Sequence, residues 1–173
     1  MVEKLIVHEH LSKKERYEQL LPQLVALVAS ETDLIANLAN ISSALHAAFG
    51  WHWVGFYLVK NNELVVGPFQ GPPACTRIAY NKGVCGTAWA RAQIINVANV
   101  HEFAGHIACS AQSQSEIVVP IFNQNNVVGV LDIDSSNLAD FDEVDELYLM
   151  QATKIVSTCY NAHSATNSVI NPI

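Results

Sequence analysis

The chain has 173 residues, half of them apolar, and a formal net charge of -7. That length suffices for one domain with a proper core, and the acidic balance argues against nucleic acid and anionic membrane surfaces as partners. No uninterrupted apolar stretch approaches the roughly 18 residues of a membrane-spanning helix, and the start lacks a basic and then long apolar leader, so a cytoplasmic protein is expected.

Ser12 and Glu15 have capping-box spacing ahead of an amphipathic helix that should run to about Ser30, with Pro22 kinking it. A second helix is expected from about Thr32 to Phe49, with Gly50 as its stop. The middle of the chain alternates as strands. "WHWVGFYLV" is the first, Asn61-Asn62 a turn, and "ELVVGPFQ" the second. "GPPACTRIAY" is a broken loop leading into a strand, "KGVCGTAWARAQ" a short helix, and "QIINVANV" a short strand. "SEIVVPIF" and "VVGVLDID" flank Asn123-Gln124-Asn125-Asn126 as a hairpin. A last helix begins near Asp140, which has capping spacing to Glu143, and the polar end from residue 161 should fray. This order predicts an α+β fold: one domain over 1–173 with its core at about 13–160, and a mostly antiparallel central sheet with helices packed on one face.

Four cysteines stand at 75, 85, 109 and 159. None forms a CxxC pair, so neither a thioredoxin-type motif nor a zinc ribbon is present. Cys109 follows Gly105-His106-Ile107-Ala108 in a polar segment, where His106 or backbone N–H groups can lower a thiol pKa. It reads either as a nucleophile or as a half-buried bystander. Cys75, in the loop "QGPPAC", also lies outside regular structure, and two loop cysteines fit an attacking and resolving pair. Cys85 is a third member or merely a small residue at a helix entry, and Cys159 is core. His101, His106 and Cys109 have a zinc-like spacing but no second close ligand pair, so no metal is expected.

Asp132 and Asp134, two apart on one strand, leave by the same face beside apolar Leu131 and Ile133. They are either a solvated strand end or part of a site. Glu116 joins them if the hairpin loop is odd or bulged, and points away if it is even. Three gathered carboxylates would hold a cation or an ammonium group, and repulsion would leave one of them protonated as an acid. Trp51, Trp53, Gly55 and Tyr57 share a face of the first strand, as sandwich core or as the wall of a ligand box.

Taken together, "GWHWVGFYLV", "GPFQGPPACTRI", "KGVCGTAW", "VHEFAGHIACSAQSQSEIVVPIF" and "GVLDIDS" resemble the free methionine-(R)-sulfoxide reductases, single-domain GAF-fold enzymes. The likeness covers about residues 15–160, and the cysteine spacing of ten and then twenty-four residues is its most specific part. The resemblance implies thiol-dependent reduction of free methionine-(R)-sulfoxide through a sulfenic acid and an intramolecular disulfide. Thioredoxin would be the reductant, no cofactor would be needed, and a homodimer fits the family habit. It assigns Cys109 as nucleophile, Cys75 as resolving cysteine and Cys85 to the pocket. Trp53 and Tyr57 become the pocket aromatics, and Glu116, Asp132 and Asp134 the acidic trio. Ser110 stands where the family often has aspartate, and Ala104 where it usually has proline. The rival expectation is a non-catalytic GAF-type sensor of a small ligand.

Overall fold

A computed structural model describes residues 5–8, 10–107 and 110–170, the last ten as backbone. Helix α1 spans Lys13–Val28 and α2 spans Leu34–Phe49. Strands β1 (Trp53–Lys60), β2 (Glu63–Gln70) and β3 (Arg77–Ala79) lead to the short helix α3 (Gly83–Arg91). Then come β4 (Ile95–Val97), a single 3-10 turn (Val100–Glu102), β5 (Ser115–Asn123), β6 (Asn126–Ser135) and α4 (Glu143–Ile170). The six strands form one antiparallel sheet in the order β3-β2-β1-β6-β5-β4.

Local chemistry sets most of these boundaries. Ser12 Oγ accepts the Glu15 N–H while Glu15 Oε2 accepts the Ser12 N–H, a reciprocal cap that starts α1. The helix continues through Pro22 to Val28. Asp33 caps α2 by accepting the Ala36 N–H at 2.8 Å, and Gly50, at φ 71°, ends it in the left-handed conformation. At the last helix the cap is Asp142 and not Asp140: its Oδ1 accepts the Val144 N–H at 2.8 Å, and Asp145 returns a carboxylate to the Asp142 N–H at 2.9 Å. Asp140 instead accepts the hydroxyl of Ser135. Nor does the chain leave the helix at residue 161. The backbone of α4 stays helical to Ile170, because no glycine or proline interrupts it before Pro172.

Alternation along the central strands divides the interior in two. Val54, Phe56 and Leu58 of β1, with Ile117 and Val119 of β5 and Leu131 and Ile133 of β6, face α1, α2 and α4 in the larger core. Trp53, Tyr57, Val118 and Val130 face the other way, against Val84, Cys85 and Ala88 of α3. Three long helices thus cover one face, and one short helix covers part of the other. Trp51 does not share the face of Trp53. It precedes β1, so the two-residue period does not reach it, and it joins the larger core stacked on Phe49 with ring centroids 4.3 Å apart. Fully buried Asp145 ties α1 to α4 by accepting from Lys13 Nζ and from Tyr17 Oη. Among the described residues no helix is long and apolar enough to cross a membrane.

Candidate active site

The face bearing α3 holds a pocket with about 530 Å³ of atom-free space, counting its mouth. Its wall begins with β1. Trp53 and Tyr57 stack with centroids 5.9 Å apart, and Trp53 stacks on Phe69 at 5.2 Å. Gly55, between them, makes room for the indole: a Cβ there would stand 2.4 Å from Trp53 Cη2. Gly71, at φ 136°, does the same on the other side, where a Cβ would meet Trp53 Cδ1 at 2.6 Å. The polar ends of both rings hold the Pro-Gly loop. Trp53 Nε1 donates to the Pro72 carbonyl at 3.2 Å, and Tyr57 Oη donates to the Cys75 carbonyl at 3.0 Å.

The acids come from β5 and β6, and a bulge decides their grouping. The hairpin loop has two residues, Gln124 and Asn125, between the paired Asn123 and Asn126, which alone would turn Glu116 away. However, Phe122 pairs Val127 while Ile121 pairs Gly129, so Val128 is an extra residue in β6. Past that shift Glu116 lies directly opposite Asp134, and Val118 opposite Asp132. Directly opposite residues share a face, so all three carboxyl groups point into the pocket. Cys85, from the first turn of α3, completes the floor with its thiol 3.9 Å from Glu116 Oε1.

Electrostatics follow from that crowding. Glu116 and Asp132 are each 6% exposed. Burial first, and then the neighbouring carboxylates, push both well above the usual carboxylate range. Asp134 rises to about 6 through burial, restrained by a hydrogen bond from Ser113 and by the charge of His52. Burial, reinforced by Asp132 and Glu116, raises the Cys85 thiol well above its ordinary pKa, so it is protonated at neutral pH. Asp132 Oδ1 is buried with no hydrogen-bond partner. Hydrogen bonds from Cys85 and Glu116 restrain the rise at Asp132, so the cluster can store a proton and still leaves one oxygen open to a further donor.

Among the described residues, Cys85, Glu116 and Asp132 are the group whose potential metal-ligating atoms gather, all within 4.8 Å of one another. The histidines weighed above as zinc ligands part company: His101 is exposed, whereas His106 Nε2 faces Glu116 Oε2 at 3.8 Å. Burial lowers the His106 pKa, as does the charge of His101.

Of the residues singled out from sequence, Trp53, Tyr57, Cys85, Glu116, Asp132 and Asp134 line this one pocket. Cys75 is half-buried, disulfide-bonded and beside it through the Tyr57 bond. Cys109 lies outside the described residues. Cys85 and Cys159 are free thiols, and Cys159 is buried in the larger core. Sequence reasoning missed His52 and Ser113, which act on Asp134, and Ile107, which packs over Gly83 at the pocket's edge. Nothing in their local pattern distinguishes them, since each reaches the site through a loop.

Residues 33–159 match the GAF domain family. The chain is 48% identical over 142 residues to the free methionine-R-sulfoxide reductase of Escherichia coli (strain K12), covering 82% of this chain and 86% of that one. It is 40% identical over 157 residues to the protein of the same name from Saccharomyces cerevisiae (strain ATCC 204508 / S288c), covering 86% and 87%. Among solved structures, the free methionine-R-sulfoxide reductase from Neisseria meningitidis in complex with its substrate superposes with a TM-score of 0.91. The two are 49% identical, and the match covers 94% of this chain and 99% of that one. With sequence and backbone agreeing over most of its length, this chain belongs to the free methionine-R-sulfoxide reductases, an oxidoreductase family built on the GAF domain.

Proposed function

We propose that the chain reduces free methionine-(R)-sulfoxide to methionine, with Cys109 as attacking thiol and Cys75 as resolving thiol. Glu116, Asp132, Asp134, Trp53 and Tyr57 form the substrate's seat. The observation that carries this reading is the gathering of Glu116, Asp132 and Asp134 on one wall of the pocket, with Asp132 Oδ1 buried and short of a hydrogen bond. An α-ammonium group supplies the missing donors and offsets the negative charge. A peptide-bound methionine sulfoxide lacks that ammonium, so the same feature selects the free amino acid. Trp53 and Tyr57 border the thioether end.

The Cys109 thiolate attacks the sulfoxide sulfur while a protonated carboxyl, best placed on Glu116, donates to the oxygen. The protonated oxygen then passes to the Cys109 sulfur: a Cys109 S–O bond forms as the substrate's S–O bond and the sulfur–sulfur bond made in the attack both break. Two electrons go from the cysteine sulfur to the substrate sulfur, and Cys109 is left as a sulfenic acid. Methionine leaves. The Cys75 thiol then condenses with the sulfenic acid, releasing water and forming a disulfide, which a dithiol such as thioredoxin reduces by exchange. That Cys75 is disulfide-bonded supports its part as the resolving thiol. Its raised pKa makes Cys85 a poor first attacker, which leaves it lining the pocket floor or relaying the disulfide. Dependence on thioredoxin suits a reducing cytoplasm, and sedimentation tests whether the chain acts as a homodimer.

The deciding experiment is turnover of separated R and S epimers, free and peptide-bound, by the wild type and Cys109→Ser. Turnover of the free R epimer alone, lost in Cys109→Ser, is expected. Equal activity of the two proteins overturns the proposal.

A further inference from the structure

The loop 71–76 that carries Cys75 is pinned to the sheet at both ends. At its start Trp53 Nε1 holds the Pro72 carbonyl. At its close Tyr57 Oη donates to the Cys75 carbonyl at 3.0 Å, and Val66 donates its N–H to the Thr76 carbonyl at 3.0 Å. Between these ties the rings of Pro72 and Pro73 fix φ. The Tyr57 tie is the one that reaches the thiol-bearing residue itself, because it grips the carbonyl bonded to the Cys75 Cα. A peptide is planar, so fixing the direction of that carbonyl restricts ψ of Cys75. The anchor is rigid. Tyr57 is 1% exposed, pairs Val66 of β2 on one side and Val130 of β6 on the other, and stacks on Trp53. Cys75 is disulfide-bonded here, so the tie is made in the state that resolution produces.

We propose that Tyr57 is a positioning residue for disulfide closure: its hydroxyl fixes the Cys75 backbone so that the resolving thiol is presented to its partner sulfur. The proposal rests on the reading of Cys75 as the resolving thiol, and it gives the hydroxyl a task separate from that of the ring. In closure the Cys75 sulfur bonds the sulfur of the sulfenic acid. The S–O bond there breaks, and the hydroxide leaves as water with the Cys75 thiol proton. Orientation acts through effective concentration, since a thiol already aimed at its partner surrenders less freedom when the bond forms. With the Tyr57 bond gone, Thr76 is still held, but the peptide between it and Cys75 can turn. The open dithiol then samples more arrangements while the closed disulfide loses a hydrogen bond. Both effects have one sign: closure slows, and the closed bond becomes easier to reduce. A neutral hydrogen bond is worth up to about a tenfold change in such an equilibrium.

The test uses Tyr57→Phe, which keeps the ring and removes the donor. In redox equilibrium with dithiothreitol, and without any sulfoxide, the disulfide at Cys75 should open at an about tenfold lower ratio of reduced to oxidised dithiothreitol. That is a rise of about 30 mV in reduction potential. In single turnover without reductant, the delay between methionine release and thiol loss should lengthen about tenfold, whatever the rate of release, and dimedone should trap the sulfenic acid in the interval. Tyr80→Phe removes a hydroxyl bonded to the Ala90 carbonyl, outside this loop, and should move neither quantity. An equilibrium and a delay both within about twofold of wild type overturn the proposal. So does a fall in Tm with neither of them moved, which marks a purely structural hydroxyl. A Cys75→Ser protein that still loses two thiols per turnover removes the reading of the resolving cysteine instead, and is distinguishable because Tyr57 is untouched.

Discussion

Gly55→Ala adds one methyl group to an ordinary strand position, yet the added Cβ would stand 2.4 Å from Trp53 Cη2, 2.8 Å from Trp53 Cζ3 and 2.4 Å from Phe69 Cβ. Carbon contacts settle near 3.5–4.0 Å, so the indole has to retreat by about 1 Å or more. It cannot do so freely, because Phe69 stacks on it and Pro72 holds its N–H. Overpacking of this kind costs about 1–3 kcal/mol. At this chain length that is a fall in Tm of roughly 2–12 °C. A displaced Trp53 also reshapes the wall proposed to border the S-methyl group, so kcat/KM for free methionine-(R)-sulfoxide should fall by about ten- to a hundredfold. The assay pairs thermal unfolding with steady-state turnover and the tryptophan emission spectrum. Adding Trp53→Phe removes the ring edge but leaves the Phe69 contact, so part of the lost stability should return while turnover stays low. A Gly55→Ala protein with unchanged Tm and kcat/KM within twofold of wild type refutes the argument that Gly55 seats the indole.

Asp132→Asn should raise the KM of the free R epimer by about tenfold or more, since a buried charge partner of the ammonium is lost. N-acetylation of the substrate should have the same effect on the wild type. Asp134, raised to about 6 by burial, holds its proton in the folded state after the unfolded chain has lost it. Between about pH 4 and 6 the native state therefore binds more protons, and stability falls as pH rises. Asp134→Asn should flatten that part of the Tm–pH profile and raise Tm above pH 6; an unchanged profile would count against the burial argument. Asp145→Ala leaves Lys13 and Tyr17 without their shared buried acceptor and should cost about 3–5 kcal/mol, read as a fall in urea midpoint. Turnover at low temperature should persist, because Asp145 lies on the helix-covered side of the sheet. Finally, substrate without reductant should consume two free thiols per chain, and a protein that consumed none would be a sensor.

Much of the element order is legible in the chain because its signals are local. Ser12 and Glu15 meet within one turn of helix, Gly50 supplies its own positive φ, and a period of two separates Val54 and Phe56 from Trp53 and Tyr57. The cysteine spacing and its likeness to a family are also properties of the string alone. Where the reading failed, the outcome turned on neighbours distant in sequence or on a boundary moved by a residue or two. Trp51 left the expected face because β1 starts at Trp53, and the cap moved from Asp140 to Asp142 because Ser135 claims the former. Tertiary structure alone decided the site. A single extra residue at Val128 reverses the parity of β5 against β6, and it is that reversal which sets Glu116 against Asp134 and beside Asp132. A strand's pattern states which residues share its own face, but the face a partner strand presents depends on register, and register is a property of the pair. His52 illustrates the same limit: one ring nitrogen reaching across fifty-eight residues to Ser110 leaves no trace in the composition around either residue.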